Sequence, residues 1–244
     1  IGDNWAAPHA SAYDDPVVRT PVFDRIAHEG VLFHKAFAPT PSCSPSRSSL
    51  LTGQETHRLR DGANLYGNLD AQFPTYTEIL ERAGYSVAFS GKGWAPGSVE
   101  KSGRKRNPAG HAVRDLAALL RDRSAGQPFC YWFGSTNPHV PWTEGADVKA
   151  SLDLQRIRVP AHLPDRPEVR EDIRSYYAEV QAFDRQCGAI VDQLRASGEI
   201  DNTILVMTSD NGWQMPRGLA NCYDLGVRIP MAIRWPAAFK AGRT

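Results

Sequence analysis

The run "CSPSRSSLLTG", residues 43–53, sets a thiol, a proline and an arginine within about one helical turn. Pro45 suits the first turn of a helix, where its missing N–H costs nothing, with Ser44 or Cys43 as the cap. A helix starting here turns its unpaired N–H groups and positive dipole end towards Cys43, a ready anion site. Arg47, one turn further in, offers a planar fork for sulfate or phosphate oxygens. Taken alone, Cys43 also reads as a small buried hydrophobe. That reading explains neither Arg47 nor the flanking "LLTG".

Other chemistry-bearing residues stand at segment ends. "IGDNW" supplies Asp3 and Asn4, and "SDNG" supplies Asp210 and Asn211. Carboxylate and amide oxygens from these pairs suit a hard cation, calcium or magnesium, although Asp-Asn-Gly by itself also makes a turn. Lys92, in "GKGW", reads as a site lysine or a plain surface one. His139, in "NPHVPW", sits in a loop stiffened by prolines; it is an acid–base candidate or a structural loop histidine. His57, in "GQETHRLR", falls beyond the cysteine helix and is expected to point at substrate or solvent, and "KSGRKR" reads as a solvated loop.

Something must hold these groups together, and the patterning says what. Thr20 and Pro21 open a helix that Gly30 stops; "VLFHKAF" is a strand leading to Cys43. Thr75 and Glu78 have capping-box spacing, and Gly84 ends that helix before the strand "YSVAFS". "AVRDLAALLRDR" is helical and "PFCYWFG" is a buried strand. Val169, Ile173, Tyr176, Val180, Phe183, Cys187, Ile190 and Leu194 form one apolar helical stripe, after which "TILVMT" is a strand delivering "SDNG". Alternating helices and strands predict an α/β fold with a largely parallel sheet, and ligands bind beyond the carboxyl ends of such strands. "GK", "NPH" and "SDN" all fall there.

The length of 244 residues allows one large core, and the net charge of +1 argues against a general polyanion binder such as a nucleic-acid protein. No apolar run is long enough to span a membrane. Cys43, Cys130, Cys187 and Cys222 are too scattered for a zinc site or a disulfide scaffold. Both ends look cut, and "SVEKSGRKRNPAGHA" reads as an abrupt join between structured segments.

"CSPSRSSLLTG" resembles the signature of the type I sulfatases, in which C-x-P-S-R directs oxidation of the cysteine to formylglycine. "GKGW", "NPH", the long helix and "DNTILVMTSDNG" follow in the family's order, and "AFAPTPSCSPSRSSLLTG" with "LANCYDLGVRIPMAIRWP" is most similar to the N-sulfoglucosamine sulfohydrolase (sulfamidase) branch. The resemblance implies an alkaline-phosphatase-like α/β sandwich. Residues 1–244 would be the N-terminal catalytic domain, cut at both ends, without the usual smaller C-terminal domain. It implies Cys43 as the formylglycine precursor, Asp3, Asn4, Asp210 and Asn211 as calcium ligands, and Arg47 beside the hydrated aldehyde. Lys92 would bind sulfate, and His139 would bind it or protonate the leaving group. Asn4, Trp94 and Leu219 depart from the usual aspartate, histidine and lysine or arginine, with Arg217 or Arg228 in a position to compensate for Leu219, and Arg217 would bind substrate. The partners implied are a small sulfated substrate, a saccharide, and a formylglycine-generating maturation enzyme. The setting implied is periplasmic, secreted or lysosomal. A phosphodiester or phosphonate hydrolase of the same superfamily, or a silent sulfated-glycan-binding relative, is the alternative.

Overall fold

The computed structural model describes residues 1–238 and 240–243. In chain order its elements are α1 (Pro21–His28), β1 (Val31–Phe37), α2 (Cys43–Thr52), α3 (Tyr76–Arg82), β2 (Ser86–Gly91), β3 (His111–Ala112) and α4 (Leu116–Asp122). Then come β4 (Phe129–Gly134), α5 (Ala146–Ala150), α6 (Pro167–Ala196), β5 (Leu205–Thr208), α7 (Asp224–Val227) and β6 (Arg228–Arg234).

The strands fall into a parallel group, β3-β2-β4, and an antiparallel group, β1-β6-β5. Ile1 and Gly2 join them. The Ile1 nitrogen donates to the Phe133 carbonyl at 2.8 Å, and Ser135 N donates back to Ile1 O at 3.0 Å. Gly2 N donates to Thr208 O at 2.8 Å, and Asp210 N to Gly2 O at 3.2 Å. These two residues therefore occupy the strand position between β4 and β5. The sheet is mostly parallel, as the alternation predicts, with β6 running against its neighbours.

Side chains alternate across a strand, so the two sheet faces can be read from adjacent residues. Phe133 packs with α1 and α6, in a core containing Phe23, Ile173, Val180 and Phe183. Its neighbour Trp132 packs on the other side with Leu51 of α2 and with Trp94. Ala88 and Phe89 of β2 divide in the same way. Helices thus cover both faces, and the cysteine helix α2 lies opposite the long α6.

Several local expectations hold and several need correction. Thr75 and Glu78 make the capping box reciprocally, side chain to backbone in each direction. Thr20 precedes Pro21 as expected, but its side chain makes no cap; Asp184, from α6, accepts from Val22 N and Phe23 N at 3.0 and 2.9 Å instead. Helix α1 ends at His28, before Gly30. The "KSGRKR" run is not simply solvated. Arg104 is 8% exposed and donates to the carbonyls of Leu69, Asp70 and Phe73 and to Glu78 Oε1 at 2.6 Å. This guanidinium ties the 69–73 loop to α3.

Candidate active site

Cys43 is the first residue of α2, preceded by Ser42 in an extended conformation. Its thiol meets side-chain oxygens of the Asp3–Asn4 segment. It donates at 3.4 Å to Asp3 Oδ1 and at 3.8 Å to Asn4 Oδ1. Burial, then the charges of Asp210 and Asp3, push the Cys43 thiol up to about 12. Lys92 and Arg47 pull the other way without prevailing. These residues therefore hold a neutral thiol, which is a poor nucleophile.

One turn into the helix, Arg47 is fully buried and spans the site. Its Nε donates to Asp210 Oδ2 at 2.8 Å, and its Nη1 to the carbonyls of Lys92 and Gly93 at 2.8 and 2.9 Å. Its Nη2 lies 3.9 Å from Asp3 Oδ1, buried and without a hydrogen-bond partner. Lys92 leaves the end of β2 and places Nζ 2.6 Å from Asp3 Oδ2. The turn carrying it is packed so tightly on the end of β4 that a Cβ at Gly134 would run into the Lys92 carbonyl.

Asp3 and Asn4 continue from the Ile1–Gly2 segment, and Asp210 and Asn211 from β5, at the same sheet edge. Asn4 adopts φ 71°, a left-handed conformation that asparagine tolerates. Its N–H reaches Asp210 Oδ1 at 3.0 Å, and Asn211 N reaches the same oxygen at 2.8 Å. Asn211 Nδ2 donates to Asn4 Oδ1 at 2.6 Å. Burial, followed by the charge of Asp210, raises the Asp3 carboxyl above its ordinary range. Burial acts against Asp210 too, yet Arg47, Lys92 and the Asn4 amide hold it below that range.

His139 completes the cluster: a carboxylate oxygen of Asp3, the Cys43 sulfur and a His139 ring nitrogen all lie within 4.8 Å of one another. Its loop is anchored to α6, where the buried Glu179 accepts from Asn137 Nδ2, Thr143 N and Glu144 N. The structure thus gathers Asp3, Asn4, Cys43, Arg47, Lys92, His139, Asp210 and Asn211 in one place. His57 sits in an exposed 3-10 turn, Thr56–Arg58, just beyond α2. Arg217 is exposed, with its guanidinium 5.3 Å from the Tyr223 ring, and Arg228 donates to the His34 carbonyl.

Three participants were not singled out from the sequence. Ser46 Oγ donates to the Asp210 carbonyl at 2.5 Å, tying α2 to the end of β5. Glu179 and Gln214 both hold the His139 loop. Ser46 lay inside the motif and could have been noticed. Glu179 had one signal: a carboxylate inside an otherwise apolar stripe.

The sulfatase family model matches residues 1–108 and 111–244. The chain belongs to the sulfatase family. The match breaks only inside the segment read as an abrupt join. Human N-sulphoglucosamine sulphohydrolase is 28% identical across 93% of this sulfatase-family chain and 52% of its own length. An ulvan-active sulfatase of Formosa agariphila is 28% identical across 100% of this chain and 49% of its own. The chain spans about half the length of these curated relatives. A phosphonate monoester hydrolase from Silicibacter pomeroyi shares the fold with a TM-score of 0.78 at 18% identity, over 100% of this chain and 68% of that one.

Within the sulfatase frame, the departures have a structural account at one position. Trp94 is buried in the cluster under α2, and its indole N–H donates to Ser48 Oγ at 2.8 Å. Where the resemblance implies a histidine, Trp94 braces the cysteine helix. Nothing in the structure explains Leu219.

Proposed function

We propose that this chain is the catalytic part of a sulfuric ester hydrolase or sulfamidase acting on a sulfated sugar, through a formylglycine made from Cys43 and a calcium or magnesium ion. The observation that carries the proposal is the placement of Cys43 against Asp3, with Arg47, Lys92 and His139 around it. The family and the names of its relatives support the substrate class.

The residues fit a hard cation. Asp3, Asn4, Asp210 and Asn211 offer carboxylate and amide oxygens, and Asn211 Oδ1 is buried without a hydrogen-bond partner. Those four would hold the ion, which supplies Lewis-acid polarisation of a sulfate oxygen. Formylglycine, when present at position 43, supplies a hydrated carbonyl whose second hydroxyl gives the covalent product a way to collapse.

The chain's own groups do the rest. Arg47 fixes Asp210 and leaves Nη2 unpartnered, 3.9 Å from Asp3 Oδ1. Lys92, paired with Asp3 at 2.6 Å, would hold a sulfate oxygen when an anion enters. His139 stands where it can hold that anion or carry a proton to the departing sugar oxygen or nitrogen. We place the activity in a periplasmic, secreted or lysosomal setting on family kinship alone; among the described residues no helix is long and apolar enough to cross a membrane.

The test is mass spectrometry of the peptide containing position 43, from protein made with and without a formylglycine-generating enzyme. Conversion of the thiol to the aldehyde, with turnover rising in proportion, is the expected result. Turnover of phosphonate esters in preference to sulfate esters would favour the rival hydrolase. Conversion without any ester turnover would favour a silent glycan-binding relative.

A further inference from the structure

Gln214 lies three residues beyond Asn211, between the buried Trp213 and Met215, so its backbone has little freedom. Its Oε1 accepts from Val140 N at 2.7 Å. Its Nε2 lies 3.3 Å from His139 Nε2, and His139 Nδ1 lies 2.5 Å from the Val140 carbonyl. We propose that Gln214 is a positioning residue that grips Val140 N and His139 Nε2 with one side chain and so fixes where the His139 ring stands beside the Cys43 cluster.

The donors and acceptors leave one arrangement. Val140 N–H can only donate, so the amide must turn its oxygen to it and its NH2 to the ring. The Val140 carbonyl can only accept, so the proton sits on Nδ1. Nε2 then carries the lone pair that receives the Gln214 N–H. A flipped amide would set its NH2 against the Val140 N–H at 2.7 Å, two donors facing. The same side chain therefore fixes the loop and the ring together. Glu179 holds the opposite side of that loop through Asn137, Thr143 and Glu144. The consequence for the reaction, which rests on the function proposed above, is that the resting Nε2 lone pair of His139 is held by the Gln214 N–H, and a donor from the substrate reaches it only by displacing that amide.

The test separates the two ideas because one arm needs no turnover. Ring nitrogen-15 spectra of the full chain should show His139 as a single Nδ1–H tautomer in the wild type. In Gln214→Glu the carboxylate keeps the Val140 contact but faces Nε2 with an acceptor while Nδ1 still faces the Val140 carbonyl, so the ring should carry protons on both nitrogens. Gln214→Met, which removes both contacts, should leave the proton on Nδ1 beside the Val140 carbonyl and shift only the Nε2 signal, from a bonded to an unbonded lone pair. In turnover, Gln214→Met should lower kcat by about ten- to a hundredfold with KM little changed. It should cost nothing further in a His139→Ala background. A wild-type ring protonated on Nε2, or a Gln214 penalty that adds fully to that of His139→Ala, would overturn the proposal.

Discussion

At the scale of single residues, Arg47 has the most to lose. It is fully buried, bonded to Asp210, and linked to the carbonyls of Lys92 and Gly93. Removing one partner of a buried pair leaves the other charge uncompensated, at a cost of about 3–5 kcal/mol. Arg47→Met should therefore lower the stability measured by urea denaturation by that order, besides abolishing turnover. A variant as stable as wild type would mean that Asp210 does not depend on the guanidinium. Cys43 should behave differently. Its side chain makes only long sulfur contacts, at 3.4 and 3.8 Å. Cys43→Ser should unfold at nearly the wild-type urea concentration yet lack activity, since serine gives one hydroxyl and no aldehyde.

At the scale of elements, the packing of α1 on α6 carries a pH signature. Burial is the largest influence on Asp184 and lifts it to about 6, even though Phe23 N and Val22 N donate to it. A carboxylate raised in the fold binds its proton more tightly there than in the unfolded chain. Its stabilising contribution is complete below the unfolded value of 3.8 and is lost as pH rises through about 6. Asp184→Asn should flatten the fall in stability between those values, where one such group contributes a slope of up to about 1.4 kcal/mol per pH unit. An unchanged slope would mean that Asp184 is not the titrating group. This helix connection also shows what a sequence hides. The capping box at Thr75 and Glu78 was legible because both halves lie within one turn. The cap on α1 was not, because its acceptor comes from position 184 on another helix. Arg104 was misread for the same reason: a charge run looks solvated until the loop it secures is known.

For the whole molecule, the alternation of helices and strands was enough to predict where the chemistry gathers. Lys92, the His139 loop and Asp210 each follow a strand, and a mostly parallel sheet sends those ends to one edge. Pairing was not legible. Nothing in "IGDN" says that Ile1 and Gly2 fill the position between β4 and β5 and so bring Asp3 within reach of Cys43 and Lys92. Nor could spacing reveal Gln214, whose role depends on meeting a loop about 75 residues away, as its contact with His139 records. The central claim is that this edge cleaves sulfuric esters or sulfamates through residue 43. The most direct measurement is sulfate released from a sulfated glucosamine by protein made with a formylglycine-generating enzyme, beside Cys43→Ala prepared in the same way. The wild type should release sulfate steadily and the variant none, with the same fold by circular dichroism. Release undiminished in Cys43→Ala would contradict the claim.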